Sequence, residues 1–237
     1  MSSDSAPSSP PNAPGATARP AIRAVVFDFG EVLSLGPDPT ILARLAAIFG
    51  LPPAAFIEAY HPTRIPYDRG DVSAEVYWRG FAKSHGVSLD ARQIEALQQC
   101  DQEMWSRISL PMTDWLSRLH HSGYRTAILS NMQAGMVEHV RQNFDWLSDF
   151  DVQVFSCEVR LAKPEPAIFA HLLGCLAIAP GEVLFIDDRA ANVEAARAAG
   201  IVAIQMTSVA QLRRDLAALG FPILPVPSSA DSASFPA

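Results

Sequence analysis

Short apolar runs that alternate with helical patterns constrain the fold of this chain more than any other feature. Mostly apolar segments of strand length occur at residues 24–27, 124–129, 152–155, 183–186 and 201–204. From residue 111 onward, helical patterns alternate with these runs, as the crossovers between parallel strands require. The sequence therefore predicts an α/β fold, with a Rossmann-like, mostly parallel sheet of about five strands and helices on both faces.

The strand pattern disappears between the first run and the second. Residues 39–106 show only helical spacing of apolar side chains. This spacing is clear at Ile41, Leu42, Leu45, Ile48 and Phe49. We therefore predict an inserted, all-helical cap at residues 36–106, which begins just after the first strand. The α/β core is then formed by residues 21–35 and 107–221.

The two ends of the chain differ in composition from the middle. Residues 1–20 and 222–237 are rich in Pro, Ser and Ala. Residues 1–20 also lack the apolar segment of an ordinary secretory signal. We expect a disordered leader and a disordered tail. No apolar run in the chain approaches the length needed to cross a bilayer.

Charge and cysteine content narrow the function classes. The net charge is −7 and no basic block is interleaved with aromatic residues, so a nucleic-acid surface is not expected. Cys100, Cys157 and Cys175 are odd in number and lack metal-like spacing, which indicates a reducing compartment. We expect a cytoplasmic monomer or homodimer that acts on a small molecule rather than on nucleic acid or a membrane.

Carboxylates stand where two of the predicted strands end. Asp28 follows the first strand, and Asp187 and Asp188 follow the fourth. The carboxyl ends of parallel strands meet at one edge of a sheet, where a buried acid needs a partner. Asp28 could attack phosphorus as a nucleophile or could cap the next turn. The acid pair could hold Mg²⁺, with Asn192 orienting it, or could begin the next helix.

Two further segments add groups that could bind phosphate. Ser130 and Asn131 follow the second strand, so the Ser130 hydroxyl and neighbouring amides could hold phosphoryl oxygens. A Ser-Asn pair is also an ordinary helix start. Lys163 lies in a proline-flanked loop and could neutralise both a nucleophile and a phosphate, although most lysines are solvated surface groups.

The order and context of these segments resemble the haloacid dehalogenase superfamily of aspartate-nucleophile hydrolases. The likeness extends from residue 22 to about residue 206. It implies that Asp28 is the catalytic nucleophile, that Ser130 binds phosphate, and that Lys163 is the lysine of the third motif. It also implies that the helical insertion is a cap that closes over small substrates. A small phosphorylated metabolite is the substrate class that follows.

The resemblance also implies a magnesium site. Asp28, Asp187 and Asp188 would supply carboxylates, with Asp188 favoured as the direct ligand of the acid pair. The backbone carbonyl of Gly30 would be a further ligand. The expected activity is a Mg²⁺-dependent phosphatase that forms an aspartyl phosphate.

Gly30 is also the main departure from the family pattern. Phosphatases of this family usually carry a second aspartate there, which protonates the leaving group and then activates water. Loss of a general acid typically lowers the rate by about 10²–10⁴-fold. Glu31 follows, and its carboxylate could reach the site only if the turn is rearranged. The segment after Asp28 and the cap motif at 67–73 resemble sugar-phosphate phosphatases that also have glycine at this position.

Two alternatives remain open at this point. Haloacid dehalogenases also lack the second acid, but they need no metal, and adjacent acids such as Asp187 and Asp188 are unusual in them. A weakened family member that only binds a ligand or partner is the other alternative. In the cap, Arg69 and Arg79 could bind a second anionic group, although a solvated face is the favoured interpretation. Aromatic residues could line the cavity or fill the core: Trp78, Phe81, Trp105 and Trp115.

Overall fold

A computed structural model describes residues 21–226. The predicted leader, and residues 227–237 of the predicted tail, lie outside the described residues. The sheet is formed by β1 (Ala24–Phe27), β2 (Arg125–Ser130), β3 (Val152–Phe155), β4 (Val183–Asp187) and β5 (Val202–Gln205). All four strand pairings are parallel, in the order β3-β2-β1-β4-β5. The predicted α/β class and the parallel sheet of five strands are confirmed.

The strand order reverses at β1, and this reversal places the site. Val26 of β1 pairs with Ala127 of β2 on one side and with Phe185 of β4 on the other. The chain leaves β1 toward β2 and β3, then returns to the opposite side for β4 and β5. A crevice opens at the carboxyl end of the strands at such a switch point. The residues that follow β1, β2 and β4 therefore converge there.

The cap is a set of helices inserted between β1 and β2. These are α1 (Pro39–Ile48), α2 (Pro53–Thr63), α3 (Ile65–Asp68), α4 (Ala74–Ser84) and α5 (Ala91–Met104). They bury an aromatic cluster of their own, which includes Phe49, Phe56 and Trp78. Within residues 21–226 no single helix is long and apolar enough to cross a membrane, whereas α1 and α2 together, bent by 81°, reach that length and composition.

The cap begins and ends at one point of the core. Ser34 and Ile108 form an antiparallel bridge between the segment that enters the cap and the segment that leaves it. The Leu35 amide donates to the Arg107 carbonyl at 2.6 Å on the cap side of this bridge. The two connections are therefore joined side by side.

The core helices cover both faces of the sheet. They are α6 (Leu110–His121), α7 (Ala134–Asn143), α8 (Ser156–Val159), α9 (Pro166–Leu176), α10 (Ala190–Ala198) and α11 (Val209–Ala218). Side chains of a strand point alternately to the two faces, so Phe27 packs with Trp115 of α6 while Val26 packs with Phe169 of α9. Both layers are buried, and this explains why the strands are almost continuously apolar.

The packed chain continues past residue 221, where the sequence predicts that the tail begins. The Trp115 indole N–H donates to the Ile223 carbonyl at 2.9 Å, and Arg118 donates to the Leu224 carbonyl at 2.7 Å. Ile223 and Leu224 also pack against the core. Apolar residues between the prolines therefore hold this segment on α6.

We predict that two Leu→Ala substitutions differ sharply in effect. Leu172 of α9 is fully buried beneath the sheet, so Leu172→Ala lowers the free energy of unfolding by about 2–5 kcal/mol. Leu110 is 75% exposed at the start of α6, and Leu110→Ala changes it by no more than about 0.5 kcal/mol. Urea denaturation of both variants measures the difference, and equal losses would contradict the assigned core.

Candidate active site

One buried ammonium joins two of the carboxylates at the switch point. Lys163 Nζ lies 2.8 Å from Asp28 Oδ1 and 2.7 Å from Asp187 Oδ2. Lys163 is 2% exposed, Asp28 is 7% exposed and Asp187 is fully buried. Removal of one partner from such a buried pair leaves an uncompensated charge and typically costs about 3–5 kcal/mol. The structure thus brings together three of the residues predicted from the sequence.

The Asp187 carboxylate is held by donors on both oxygens. Asn192 Nδ2 donates to Oδ1 at 2.9 Å and to Oδ2 at 3.0 Å. The Arg189 amide donates to Oδ1 at 2.9 Å, at the start of α10. Together with Lys163, these contacts satisfy the carboxylate. Asp187 therefore positions the lysine, and Asn192 in turn orients Asp187.

The end of β2 fixes the loop that carries the lysine. Asn131 Nδ2 donates to the Lys163 carbonyl at 2.8 Å, and the Lys163 amide donates to Asn131 Oδ1 at 2.8 Å. The Asn131 side chain thereby holds the lysine loop, while the residue itself also lines the cavity. Ser130 is 3% exposed and lines the cavity beside it.

A metal ion fits the carboxylates at this edge. One oxygen from each of Asp28, Asp187 and Asp188 can be chosen so that all lie within 4.8 Å of one another. Carboxylate oxygens are the donors that Mg²⁺ prefers. Because both Asp187 oxygens already accept hydrogen bonds, the half-buried Asp188 is the acid of the pair that is better placed to bind a cation.

Burial and the neighbouring charges shift the pKa values of the ionisable groups in the site. Burial raises the pKa of Asp28 to about 7 against the opposing charge of Lys163, and Asp187 adds to the rise. Burial, then Asp187 and Glu31, raise the pKa of Asp188 to about 6. Burial disfavours the ammonium, but Asp187 and Asp28 outweigh it and hold the pKa of Lys163 above its usual value. A bound cation would lower the carboxyl pKa values.

The turn after Asp28 has an unusual backbone. The Asp28 carboxylate accepts a hydrogen bond from the Phe29 amide at 2.7 Å and so caps the wide turn Phe29–Leu33. Gly30 has φ −64° and ψ 131°, whereas Glu31 has φ 56° and lies in the left-handed region. Glu31 also lines the cavity, and its Oε1 lies toward Gly36.

The cap closes a cavity of about 320 Å³ over these groups. Its cap wall contains residues that the sequence did not single out for the site: Tyr60, His61, Arg64, Ile65, Asp68 and Asp101. Trp105 also lines the cavity, while Trp78, Phe81 and Trp115 are buried in the cores. From the core side, Arg189 reaches the same space. The substrate cavity is therefore built from both parts of the chain.

Arg64 is the centre of the cap wall. It donates to Asp68 at 2.8 Å and to Asp101 at 2.8 Å, and its guanidinium lies 4.7 Å from the centres of the Tyr60 and Tyr67 rings. Tyr60 also hydrogen-bonds Asp101. Burial raises the pKa of Asp68 to about 6 despite the Arg64 charge. This network is a buried polar surface that lines the cavity.

The sequence did contain a signal for this network. Asp101 interrupts the apolar face of α5 between Leu97 and Met104, where a hydrophobic residue is expected. Tyr60, Arg64 and Asp68 follow one another at a spacing of one helical turn. A polar residue on an apolar face indicates a buried partner, but the spacing alone does not identify it.

The two arginines considered for a second anionic group lie outside the cavity lining. Arg69 pairs with Asp71 at 2.7 Å and with Glu165 of the core. Arg79 pairs with Glu75 at 2.9 Å along α4. These contacts are surface ion pairs, as the favoured interpretation of the sequence expects.

Ser156 joins the cap to the loop that follows β2. Its hydroxyl donates to the Asp68 carbonyl at 2.5 Å and accepts from the Met132 amide at 2.9 Å. Ser156 is fully buried. The cap wall and the end of β2 are therefore held in a fixed relation.

A buried carboxylate that faces a cavity beside its own lysine is typical of a reactive site, and with this fold it defines an α/β enzyme with a capped active site. Residues 22–200 match the haloacid dehalogenase-like hydrolases, and the chain belongs to this family of hydrolases.

Characterised relatives include phosphatases. The chain is 30% identical over 191 residues to the N-acetylmuramic acid 6-phosphate phosphatase of Pseudomonas aeruginosa, covering 77% of this chain and 80% of that protein. It is 29% identical to mouse bifunctional epoxide hydrolase 2, covering 87% of this chain but only 41% of that protein. The chain thus spans about two-fifths of the length of the epoxide hydrolase.

Solved structures share the fold at lower identity. A family enzyme of Bacteroides thetaiotaomicron, in complex with magnesium and inorganic phosphate, matches with a TM-score of 0.63 at 23% identity, over 78% of this chain and 94% of that one. An L-2-haloacid dehalogenase of Xanthobacter autotrophicus matches with a TM-score of 0.62 at 21% identity, over 86% and 85% of the two chains. These two likenesses show that the chain shares its fold with both enzymes.

We predict that the left-handed backbone at Glu31 costs stability. Glu31→Gly is more stable than Glu31→Ala by about 0.5–1 kcal/mol, because both remove the carboxylate but only glycine adopts φ 56° without strain. Thermal or urea denaturation of the two variants measures the difference. Equal stability would show that this turn is not strained.

Proposed function

We propose that the chain is a Mg²⁺-dependent phosphatase that hydrolyses a small phosphate monoester, with sugar phosphates as the substrate class. The observation that carries the proposal is the Asp28 carboxylate, which is buried 2.8 Å from the Lys163 ammonium and opens on the capped cavity beside Asp188. Phosphoryl transfer needs a nucleophile, a fixed positive charge and a carboxylate that can hold a metal ion. Asp28, Lys163 and Asp188 would supply these three groups.

The side chains take the following roles in the proposal. Asp28 attacks phosphorus, so that a bond forms from its carboxylate oxygen as the bond to the leaving oxygen breaks. Lys163 offsets the negative charge of the nucleophile and of the phosphoryl group. The Ser130 hydroxyl and the Asn131 backbone amide hold phosphoryl oxygens. Water then attacks the phosphorus of the aspartyl phosphate and releases phosphate and Asp28.

Magnesium would be held by the Asp28 and Asp188 carboxylates and by the Gly30 carbonyl. Asp187 and Asn192 would support this set from behind, since Asp187 is bonded to Lys163. When bound, the cation supplies charge neutralisation between a carboxylate nucleophile and a phosphate that otherwise repel each other. Three acidic groups at one strand edge favour its binding.

The substrate class is supported by the cavity and by a relative. A cavity of about 320 Å³ matches a small ligand, and its cap wall offers the hydroxyl and carboxylate oxygens of Tyr60, Asp68 and Asp101 to a polyhydroxylated group. The Pseudomonas aeruginosa relative is described as a phosphatase of a sugar 6-phosphate. The unpaired thiols Cys100, Cys157 and Cys175 fit the proposed cytoplasmic location.

A dehalogenase is the second candidate, because Gly30 removes the acid that a phosphate ester needs and a halide does not. The Xanthobacter structure shows that the fold accommodates that activity. Asp188 argues against it, since a half-buried carboxylate close to Asp28 repels the anionic transition state of a metal-free reaction.

We predict that Asp28→Asn abolishes phosphate release. The amide is isosteric but is not a nucleophile, so the rate falls by about 10³-fold or more. Phosphate release is measured with a panel of sugar phosphates. Asp114→Asn, on the surface of α6, is the control and retains wild-type activity. Full activity of Asp28→Asn would refute the proposed nucleophile.

We also predict that phosphate release depends on the cation. Chelation of Mg²⁺ stops release from sugar phosphates and from para-nitrophenyl phosphate, and added Mg²⁺ restores it, because the carboxylates then regain their counter-charge. The same enzyme is assayed for halide release from 2-haloacids. Metal-independent halide release would establish the dehalogenase instead, and no turnover of either class would favour a binding protein.

A further inference from the structure

The turn after Asp28 offers no acidic side chain at Gly30 to protonate the departing alcohol. Gly30 has no side chain, and a Cβ placed there would lie 3.8 Å from the indole ring of Trp105. An alkoxide is a poor leaving group unless an acid protonates it as the bond to phosphorus breaks. If the chain hydrolyses alkyl phosphates, another group of the cavity must supply that proton.

His61 is placed to supply it. The residue lies on α2 in the cap wall, and its ring is 6.3 Å from the Trp105 ring, measured between centres. Trp105 in turn lies next to Gly30, and His61, Trp105 and Gly30 line the same cavity. Within residues 21–226 no side-chain hydrogen bond involves the His61 ring, because the nearby Tyr60 hydroxyl donates to Asp101 and the Trp105 indole donates to the Tyr60 hydroxyl. Its nitrogens are therefore free to meet a ligand.

The surroundings of His61 suit an acid. Burial, then the charges of Arg189 and Arg64, lower its pKa. The Arg64 charge is offset by Asp68 and Asp101, so Arg189 is the cation left facing this end of the cavity. A lowered pKa makes the imidazolium a stronger acid, and the phosphate brought by the substrate favours the protonated ring when the proton is needed.

Glu31 is the other candidate, and its position is less suitable. Its carboxylate acts on Asp188, on the metal side of the site, and its Oε1 lies toward Gly36. A group beside the cation is poorly placed to protonate an oxygen that departs from Asp28 toward the cap. The cap wall is where the leaving alcohol must lie.

We propose that His61 is the general acid for the leaving group, a role that rests on the phosphatase function proposed above. As the Asp28 oxygen bonds to phosphorus and the ester bond breaks, the imidazolium gives its proton to the departing oxygen and an alcohol leaves. The neutral ring then takes a proton from the water that attacks the aspartyl phosphate. Phosphate is released, and both Asp28 and the imidazolium are restored.

The test compares leaving groups. Wild type, His61→Gln and His61→Asn are assayed for kcat/KM with the alkyl phosphate that wild type hydrolyses fastest and with para-nitrophenyl phosphate. The value of kcat/KM reports the steps up to release of the alcohol. Nitrophenolate leaves without a proton, so its release does not need a general acid. We expect both variants to lose about 10²-fold with the alkyl ester and only a few-fold with the aryl ester.

Matched variants make the result specific. His171→Gln removes an exposed histidine of α9 and leaves both values unchanged. Glu31→Gln tests the competing acid. Equal losses with both esters in the His61 variants, no loss in either, or a selective loss in Glu31→Gln instead would overturn the assignment of His61. Absence of phosphate release from wild type would refute the phosphatase itself.

Discussion

The Lys163 ammonium is the interaction on which the site depends. It contacts Asp28 from the end of β1 and Asp187 from the end of β4, while its backbone is bonded to Asn131 from the end of β2. Lys163 thus joins the tips of three adjacent strands, two through its ammonium and one through its backbone. Two carboxylates could not remain buried there without it, because an unpaired charge in the interior is expensive. The same contacts that stabilise this end of the sheet also position Asp28, the proposed nucleophile.

A second buried cation organises the cap. Arg64 is paired with Asp68 and Asp101 in the cap wall, and Ser156 bonds the Asp68 carbonyl to the loop after β2. Each part of the chain therefore presents one paired cation to the same cavity. The core cation serves the phosphoryl group in the proposed reaction, whereas the cap network faces the rest of the substrate. In the proposed reaction the core supplies the nucleophile and its cation, and the cap supplies the rest of the cavity wall, including His61.

Most of the fold could be predicted from the sequence. Of the site, the strand-end residues could be predicted, but the cap wall could not. Strand positions agree to within one residue, as at Val202–Gln205 against the predicted 201–204, because apolar runs report burial directly. The strand-end residues converge because parallel topology requires it. The cap wall was missed because its residues meet across helices: Asp101 of α5 reaches Arg64 after α2. The hydrogen bonds that satisfy Asp187 also come from residues distant in the sequence, such as Lys163. The local sequence pattern does not show such contacts.

The bridge between Ser34 and Ile108 has a consequence for how such a chain can change. The cap enters and leaves the core through two adjacent segments that form an isolated bridge, so its ends are already joined by backbone hydrogen bonds. A different helical insert with the same end-to-end separation could be exchanged here without altering the strand order or the carboxylates below. The chain is therefore modular at this junction, because the cap wall of the cavity can differ while the strand order and the strand-end carboxylates stay the same.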